Sequence, residues 1–584
     1  MTGKLNRRRF IKMVATGLAT PLIVSGCQDF SFNPRKIDSV LPLLLGNDQE
    51  ASYMVFDLSI ASGDPNSTGV VLWTHIAESA YKSAENLYFQ VALDASFIDV
   101  IVDGQVDAND IHAGRDFTVS VDLDGQLQPN TRYYYRFVYD GVSSRTGRCR
   151  TCPVDGVQVN TFKFGVVTCQ DYTNGYYGTM NYLAADETID FVLHLGDFIY
   201  ESAGDARFQN LPFADRYLQL PSDSIVAMDL EDYRHIHKVV RTDRNLQLAL
   251  ERHTFIVVPD DHETANDCYW DYDRDTLGAP DHPYVTQAEY GNDPALLTQL
   301  KLDSQRAWLE YTPVRVEVDE TAVHPHQYSR IYRRFQFGDL IDLYMLDTRT
   351  YRSAHPCGEK DYSERYGAFN CENTLLESRT ILGEEQKIWL TAGLIQSPTR
   401  WQVLGNQTFM GRLGIATPQD SAVLDLNVDA WDGYKAERQE LLETLKASGR
   451  KDLVVLTGDL HTYMASELKL DFEDINPLSV DNYIGVEFMT PSVTSAGLME
   501  LVLKQTPSTQ QAAVIQALSR SAVQLTNPHV RFFDSTRHGY STIEFSRDWC
   551  EWRAYTIDKN NNTANNPKYE LFRCKKYHGV PWLM

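Results

Sequence analysis

Gly196-Asp197-Phe198-Ile199-Tyr200 is the stretch on which the reading of the fold turns. It follows an apolar run, Phe191-Val192-Leu193-His194-Leu195, that reads as a parallel strand buried on both faces. An Asp at the carboxyl end of such a strand faces the crevice where open α/β sheets bind ligands. Asp197 and Tyr200 can meet there at one hard cation, the carboxylate bridging two metals and the phenolate suiting ferric iron. A plainer reading has Asp197 start a turn and Tyr200 pack in the core. For a lone Gly-Asp-x-x-Tyr that plainer reading is the better one, and the rest of the chain reverses the balance.

Five more apolar runs end the same way. Phe162-Lys163-Phe164-Gly165-Val166-Val167 leads to Thr168-Cys169-Gln170-Asp171, and Thr254-Phe255-Ile256-Val257-Val258 to Asp260-Asp261-His262-Glu263. Ile341-Asp342-Leu343-Tyr344-Met345-Leu346 leads to Asp347-Thr348-Arg349, and Trp401-Gln402-Val403-Leu404 to Gly405-Asn406-Gln407. Leu453-Val454-Val455-Leu456-Thr457 leads to Gly458-Asp459-Leu460-His461. Helical patterns intervene from Met180, across Asp232 to Glu251, and from Glu384 to Gln396, so the class is α/β. Polar residues at one end of every strand are the signature of one site on one sheet edge.

Upstream, the rhythm differs. Val70-Val71-Leu72-Trp73-Thr74, Tyr88-Phe89-Gln90-Val91-Ala92-Leu93 and Arg132-Tyr133-Tyr134-Tyr135-Arg136-Phe137 are β-rich runs separated by turn signals such as Gly63-Asp64-Pro65 and Gln128-Pro129-Asn130. Residues 53–153 are expected to form an all-β, immunoglobulin-like sandwich, with no chemistry of its own. Residues 1–27 read as a targeting segment. Arg7-Arg8-Arg9-Phe10-Ile11-Lys12 is a twin-arginine export pattern, and Val24-Ser25-Gly26-Cys27 resembles a lipobox whose Cys would carry lipid. Gln28 in place of Asp favours the outer membrane of a Gram-negative cell. Residues 28–52 would be a tether, 160–558 the catalytic unit and 559–584 a C-terminal extension that covers the cleft or lies elsewhere.

A chain of 584 residues is too long for one ordinary core. Its net charge of −25 argues against a partner that is a wrapped polyanion, and no nucleic-acid-specific binding is expected. It leaves room for a small phosphate ester, because bound metal inverts the local field. After the N-terminus no run of about 18 apolar residues suggests a membrane span. Of the nine cysteines, Cys357 with Cys371 and Cys550 with Cys574 are candidate disulfides outside a reducing compartment. Cys149 and Cys152 form one Cys-x-x-Cys without a second, which speaks against zinc and for a strained disulfide or two free thiols.

Taken as ligands, the strand ends offer Cys169, Asp197, Tyr200, Asp261, Asn406 or Gln407, Asp459 and His461. That is enough for two cation positions sharing Asp197. Two metals about 3.5–4 Å apart clamp a phosphoryl group and turn a bound water into hydroxide. Thiolate, phenolate and imidazole favour iron on one side; carboxylate and amide oxygens favour calcium on the other.

With these residues assembled, the chain resembles the PhoD-like alkaline phosphatases, a branch of the calcineurin-like metallophosphoesterases related to purple acid phosphatases. The resemblance runs from about Phe56 to Phe545. It includes Ala61-Ser62-Gly63-Asp64-Pro65, Gly69-Val70-Val71-Leu72-Trp73-Thr74, Cys169-Gln170-Asp171, the opening stretch and Asp260-Asp261-His262-Glu263. It continues through Leu346-Asp347-Thr348-Arg349, Asp429-Ala430-Trp431-Asp432-Gly433-Tyr434, Gly458-Asp459-Leu460-His461, Asn527-Pro528-His529 and Gly539-Tyr540.

The resemblance implies a four-layer metallophosphoesterase β-sandwich flanked by helices, behind an immunoglobulin- or fibronectin-III-like β domain. It implies ferric iron on Cys169, Asp197, Tyr200 and His461, and Ca²⁺ on Asp197, Asp261, Asn406 or Gln407, and Asp459. The order of Asp459 and His461 between the metals stays open. His262 would contact phosphate or protonate the leaving group, or else fix Glu263. Arg349 or Arg352 would present a fork to phosphate oxygens or serve as a core ion pair, with Asp347 as structural partner. His194 reads as a core histidine, Trp431 and Tyr434 as packing residues, and His529 as site-lining at most.

The leading expectation is an exported phosphomonoesterase using a metal-bound hydroxide. A diesterase acting on phospholipid or teichoic-acid-like substrates is the alternative within the same chemistry. An inactive, lipid-anchored binding protein is the alternative outside it.

Overall fold

Because both faces of the six core strands are apolar, each sheet must be covered twice. The structure, a computed structural model, describes residues 35–36, 50–204, 209, 213–360, 362–366, 371–416, 423–476, 478–497, 499–500 and 520–584, with the backbone alone at 35, 36, 50, 362, 363, 415, 416, 423 and 424. The export pattern, Cys27 and most of the tether lie outside the described residues.

Thr161–Val167, Phe191–His194 and Thr254–Val257 run parallel inside a ten-stranded sheet. Ile341–Met345, Trp401–Gly405 and Leu453–Thr457 run parallel inside a seven-stranded one. Alternation along the strands sends Phe164, Val166, Phe191, Leu193 and Ile256 of the first sheet against Leu343, Met345, Val403 and Val454 of the second. The outer faces take helices. Val192, Phe255 and Val257 pack with Leu183, Ile236, Leu246 and Leu300; Tyr344, Leu404 and Val455 pack with Leu390, Leu441 and Leu445. The result is four layers, helix, sheet, sheet, helix. Each fully buried aliphatic or phenyl side chain contributes about 1.5–3 kcal/mol, so the shared interior holds the two sheets together and fixes where their strand ends meet.

The stretch expected as one helix from Asp232 to Glu251 is two, Leu230–Arg241 and Arg244–Arg252. Asp243 breaks it by turning its carboxylate onto the N–H groups of Asn245 and Leu246, an N-cap inside a continuous apolar period.

In the N-terminal β domain, Leu87–Ala92, Val100–Val106, Arg132–Tyr139, Val142–Ser143 and Gly147–Arg150 form a five-stranded sheet. Ile60–Gly63, Val71–His75 and Thr118–Asp122 instead extend the ten-stranded sheet, Ile60–Gly63 pairing parallel with Thr254–Val257. The β domain is therefore joined to the α/β part by a continuous ladder. At the other side of the same sheet, Tyr569–Tyr577 of the C-terminal segment pairs antiparallel with Trp549–Thr556.

Cys357 and Cys371 form a disulfide. Cys550 and Cys574 do not: the ladder sets Cys550 opposite Lys576 and Cys574 opposite Trp552, making the two sulfurs diagonal neighbours. Cys149 and Cys152 are free thiols buried in different cores, the β domain's and the inter-sheet one.

Candidate metal centre

The turns after the parallel strands gather at one edge, and their backbone is unusual. Cys169, Asp197, Asp459 and His461 all adopt left-handed φ, +55°, +56°, +60° and +53°. Such conformations cost a non-glycine residue of order 1–3 kcal/mol and persist where surrounding structure over-determines them. Here each throws its side chain off the strand axis into the crevice. Two glycines bring the turns together. A Cβ on Gly196, whose φ is +110°, would lie 2.4 Å from Asp260 Cβ, and one on Gly458 would lie 2.4 Å from Thr168 Oγ1.

Three clusters of donor atoms result. Cys169, Asp197 and His461 each place one ligand atom within 4.8 Å of the others. Asp197, Asp261 and His262 do the same, as do Asp260, Asp261 and Asp459. Asp197 belongs to the first two clusters and Asp261 to the last two. Tyr200 joins the first: its Oη donates to Asp197 Oδ2 at 3.0 Å and lies 3.1 Å from His461 Nε2. His461 Nδ1 is 2.7 Å from the Ala496 carbonyl, so Nδ1 carries the proton and Nε2 presents its lone pair to the centre. Burial pushes the His461 pKa down to about 4, which keeps the ring neutral.

His262 sits beside this, with Nδ1 2.6 Å from Glu201 Oε2 and its ring over Tyr200 at 4.1 Å. Burial opposes its charge, but Glu201, Asp261 and Asp197 hold its pKa well above the ordinary histidine value.

Arg349 is not placed to grip a substrate. It is 2% exposed, and its fork is given to carboxylates: Nε to Asp260, Nη1 to Asp429 at 2.7 Å and Nη2 to Asp459 at 2.8 Å, with Asp261 3.3 Å away. Arg352 is likewise committed, to Asp429 and Tyr434. Asp347 caps the turn by accepting the N–H groups of Arg349 and Thr350.

The strand-end amides separate. Gln407 is tied at both ends, its Oε1 accepting one bond from Thr348 and its Nε2 donating to the carbonyls of Pro259 and Leu346. Asn406 donates to the Thr408 carbonyl, and its Oδ1 receives only a long 3.4 Å contact from Trp431 Nε1. His194 is buried in the core with no partner on either nitrogen among the described residues. His529 bonds the Arg412 carbonyl, away from the donors.

The residues present fit cations. Burial raises the carboxyls of Asp197 and Asp459 well above the usual range, and neighbouring carboxylates raise them further. Asp260 Oδ2 is buried with no hydrogen-bond partner among the described residues. Surplus buried negative charge next to thiol, phenol and imidazole is the donor chemistry that a harder and a softer metal position require.

Sequence reading missed Glu201 and gave Glu263, Asp260 and Asp429, which it quoted within motifs, none of the roles they have. Glu263 accepts three backbone N–H groups of the turns, Glu201 orients His262, and Asp429 and Asp260 hold Arg349. Glu201 follows Tyr200 directly, but its partner is 61 residues on, and nothing local announces the pair.

Fold and geometry together define an α/β protein with an N-terminal β domain and a buried, acid-rich candidate cation centre at the ends of its parallel strands. Comparison with known proteins narrows the class. The PhoD-like phosphatase family matches residues 164–554, and the N-terminal domain of PhoD-like phosphatases matches residues 44–153. Alkaline phosphatase D of Bacillus subtilis (strain 168) is 32% identical over 502 residues, covering 83% of this chain and 74% of that relative. A solved structure of PhoD aligns with a TM-score of 0.74 at 26% identity, over 91% of this chain and 92% of that one. The chain belongs to the PhoD-like phosphatase family, and it is a phosphoric ester hydrolase.

Proposed function

We propose that the chain is an exported, metal-dependent phosphomonoesterase whose centre holds ferric iron and calcium around Asp197. The observation that carries the reading is the convergence of Cys169, Asp197, Tyr200, Asp261, Asp459 and His461 from four different strand ends. Cys169, Asp197, Tyr200 and His461 would hold iron; Asp197, Asp261, Asp459 and the amide oxygen of Asn406 or Gln407 would hold calcium. When bound, the pair supplies charge neutralisation at the phosphoryl group and an activated water. The four layers behind this site are read as the metallophosphoesterase sandwich.

The chain's own residues divide the remaining work. Glu201 holds the Nδ1 proton of His262, which leaves Nε2 as the atom that gives a proton to the departing alcohol. Water oxygen attacks phosphorus, the bond to the alcohol oxygen breaks, that oxygen leaves with the His262 proton, and the proton shed by the attacking water restores the protonated His262. Arg349 bridges Asp261 and Asp459 through one Nη2 and offsets part of their charge.

Export by the twin-arginine route, with lipid on Cys27 as the only membrane attachment, is part of the same proposal. It rests on Arg7-Arg8 and Val24-Ser25-Gly26-Cys27, and the Cys357–Cys371 disulfide supports an oxidising compartment. Parallel assays with p-nitrophenyl phosphate and bis-p-nitrophenyl phosphate, beside elemental analysis of exported protein, test the reading. Faster monoester hydrolysis by metal-loaded protein supports it. Preference for the diester moves the substrate class to phosphodiesters, and a folded, metal-free, inactive protein overturns it.

A further inference from the structure

Glu263 makes contacts that the donor clusters leave unexplained. Its side chain is buried, and Oε2 accepts the N–H of Asp197 at 2.9 Å and the N–H of Asp260 at 2.7 Å. Oε1 accepts the N–H of Phe198 at 2.6 Å. These donors belong to two separate turns, one after Phe191–His194 and one after Thr254–Val257. The first carries Asp197 at left-handed φ; the second carries Asp260 and Asp261. Between them, Gly196 packs against Asp260 too closely for any other residue. The turns are thus pulled together by one carboxylate and stopped by one backbone contact.

We propose that Glu263 is the positioning residue of the centre: its carboxylate ties the turn of Asp197 to the turn of Asp260 and Asp261, and so sets the spacing between the two cation positions. The inference rests on the metal-centre reading above. Glu263 touches no donor side chain in its three bonds, all of which go to backbone. It acts on metal through the placement of Asp197 and Asp261, at least one of which belongs to each of the three clusters.

The same fold supplies a control. Glu437 is also a buried carboxylate receiving backbone N–H groups, those of Ile381 at 3.1 Å and Leu382 at 3.3 Å, and belongs to none of the donor clusters. In Glu263→Gln one oxygen still bridges Asp197 and Asp260, while the amide NH₂ confronts the N–H of Phe198. In Glu263→Ala the bridge is lost.

Losing a partner that orients metal ligands typically weakens metal binding roughly 10- to 100-fold. The test is equilibrium dialysis of the full-length exported protein, stripped and then titrated with ferric iron and calcium, with elemental analysis and thermal unfolding in parallel. Glu263→Gln is expected to bind calcium about 10-fold more weakly than wild type and Glu263→Ala about 100-fold more weakly. Glu437→Gln is expected to lose thermal stability with metal affinities within about two-fold of wild type, a margin well inside the range set by ligand positioning. If wild type takes up both metals and both Glu263 variants match it, the proposal is overturned while the metal centre stands. If wild type takes up neither metal, both fall. Where Glu263→Ala does not fold, the Glu263→Gln titration decides.

Discussion

Replacing Arg349 with methionine removes one guanidinium from four aspartates, Asp260, Asp261, Asp429 and Asp459. Its Nη1 and Nη2 lie 2.7 Å from Asp429 and 2.8 Å from Asp459, its Nε bonds Asp260, and the arginine, Asp260 and Asp429 are all buried. Breaking a buried pair by deleting one partner costs about 3–5 kcal/mol, because the other charge is left uncompensated. Arg352 and His355 still hold Asp429, which places the expected loss near the lower end, about 3 kcal/mol. Cations that enter the carboxylates bind the folded chain alone, and at one hundred times their dissociation constant they stabilise it by about 2.7 kcal/mol. Chemical denaturation in chelator and in saturating calcium measures both terms. Arg349→Met should unfold about 3 kcal/mol below wild type in chelator, and calcium at one hundred times its dissociation constant, which wild type also binds, should stabilise each chain by about 2.7 kcal/mol. A substrate-gripping arginine would behave otherwise, raising KM while stability stays put. Equal stability in chelator with a raised KM would refute the internal counter-ion assignment.

Three further outcomes are expected. Gly196→Ala puts a Cβ 2.4 Å from Asp260 Cβ at a φ of +110°; the turn must shift, and since a displacement of about 1 Å at a reacting centre can cost 10²-fold, kcat/KM should fall by about that factor in protein that still folds. His194 is neutral in the fold, where burial pushes its pKa down to about 3. The unfolded chain takes up its proton below about 6.5 and the folded chain does not, so stability present above that pH is lost on acidification, by at most about 5 kcal/mol near pH 3. His194→Leu should flatten the stability profile between about pH 6.5 and 3; an unchanged slope by denaturant titration would contradict it. Iron-loaded wild type should show a visible tyrosinate-to-iron absorption band that vanishes in Tyr200→Phe, and a band surviving that substitution would remove Tyr200 from the iron.

The six core strands were legible because burial on both faces writes a near-continuous apolar run, and the sheet edge where the candidate site lies was legible because polar residues follow each run. What stayed hidden lies in contacts between distant turns. Arg349 looked like a phosphate fork because its partners Asp260, Asp429 and Asp459 are 89, 80 and 110 residues away. Asn406 and Gln407 were indistinguishable in sequence, because the Thr348, Pro259 and Leu346 contacts that hold Gln407 come from other turns. Cys550 and Cys574 flank a loop as bonded cysteines often do, yet strand register sets them on a diagonal. Asp243 interrupts a helix whose apolar period runs on across it, because an N-cap leaves no gap in hydrophobicity.

The most direct measurement is the metal content, by elemental analysis, of wild type and Asp197→Asn purified after native export, with circular dichroism to confirm that both are folded. One shared carboxylate holding two positions predicts one iron and at least one calcium per wild-type chain, and loss of both metals together in the variant. Retention of both metals by folded Asp197→Asn, or a wild type that hydrolyses phosphate esters with neither metal present, would contradict it.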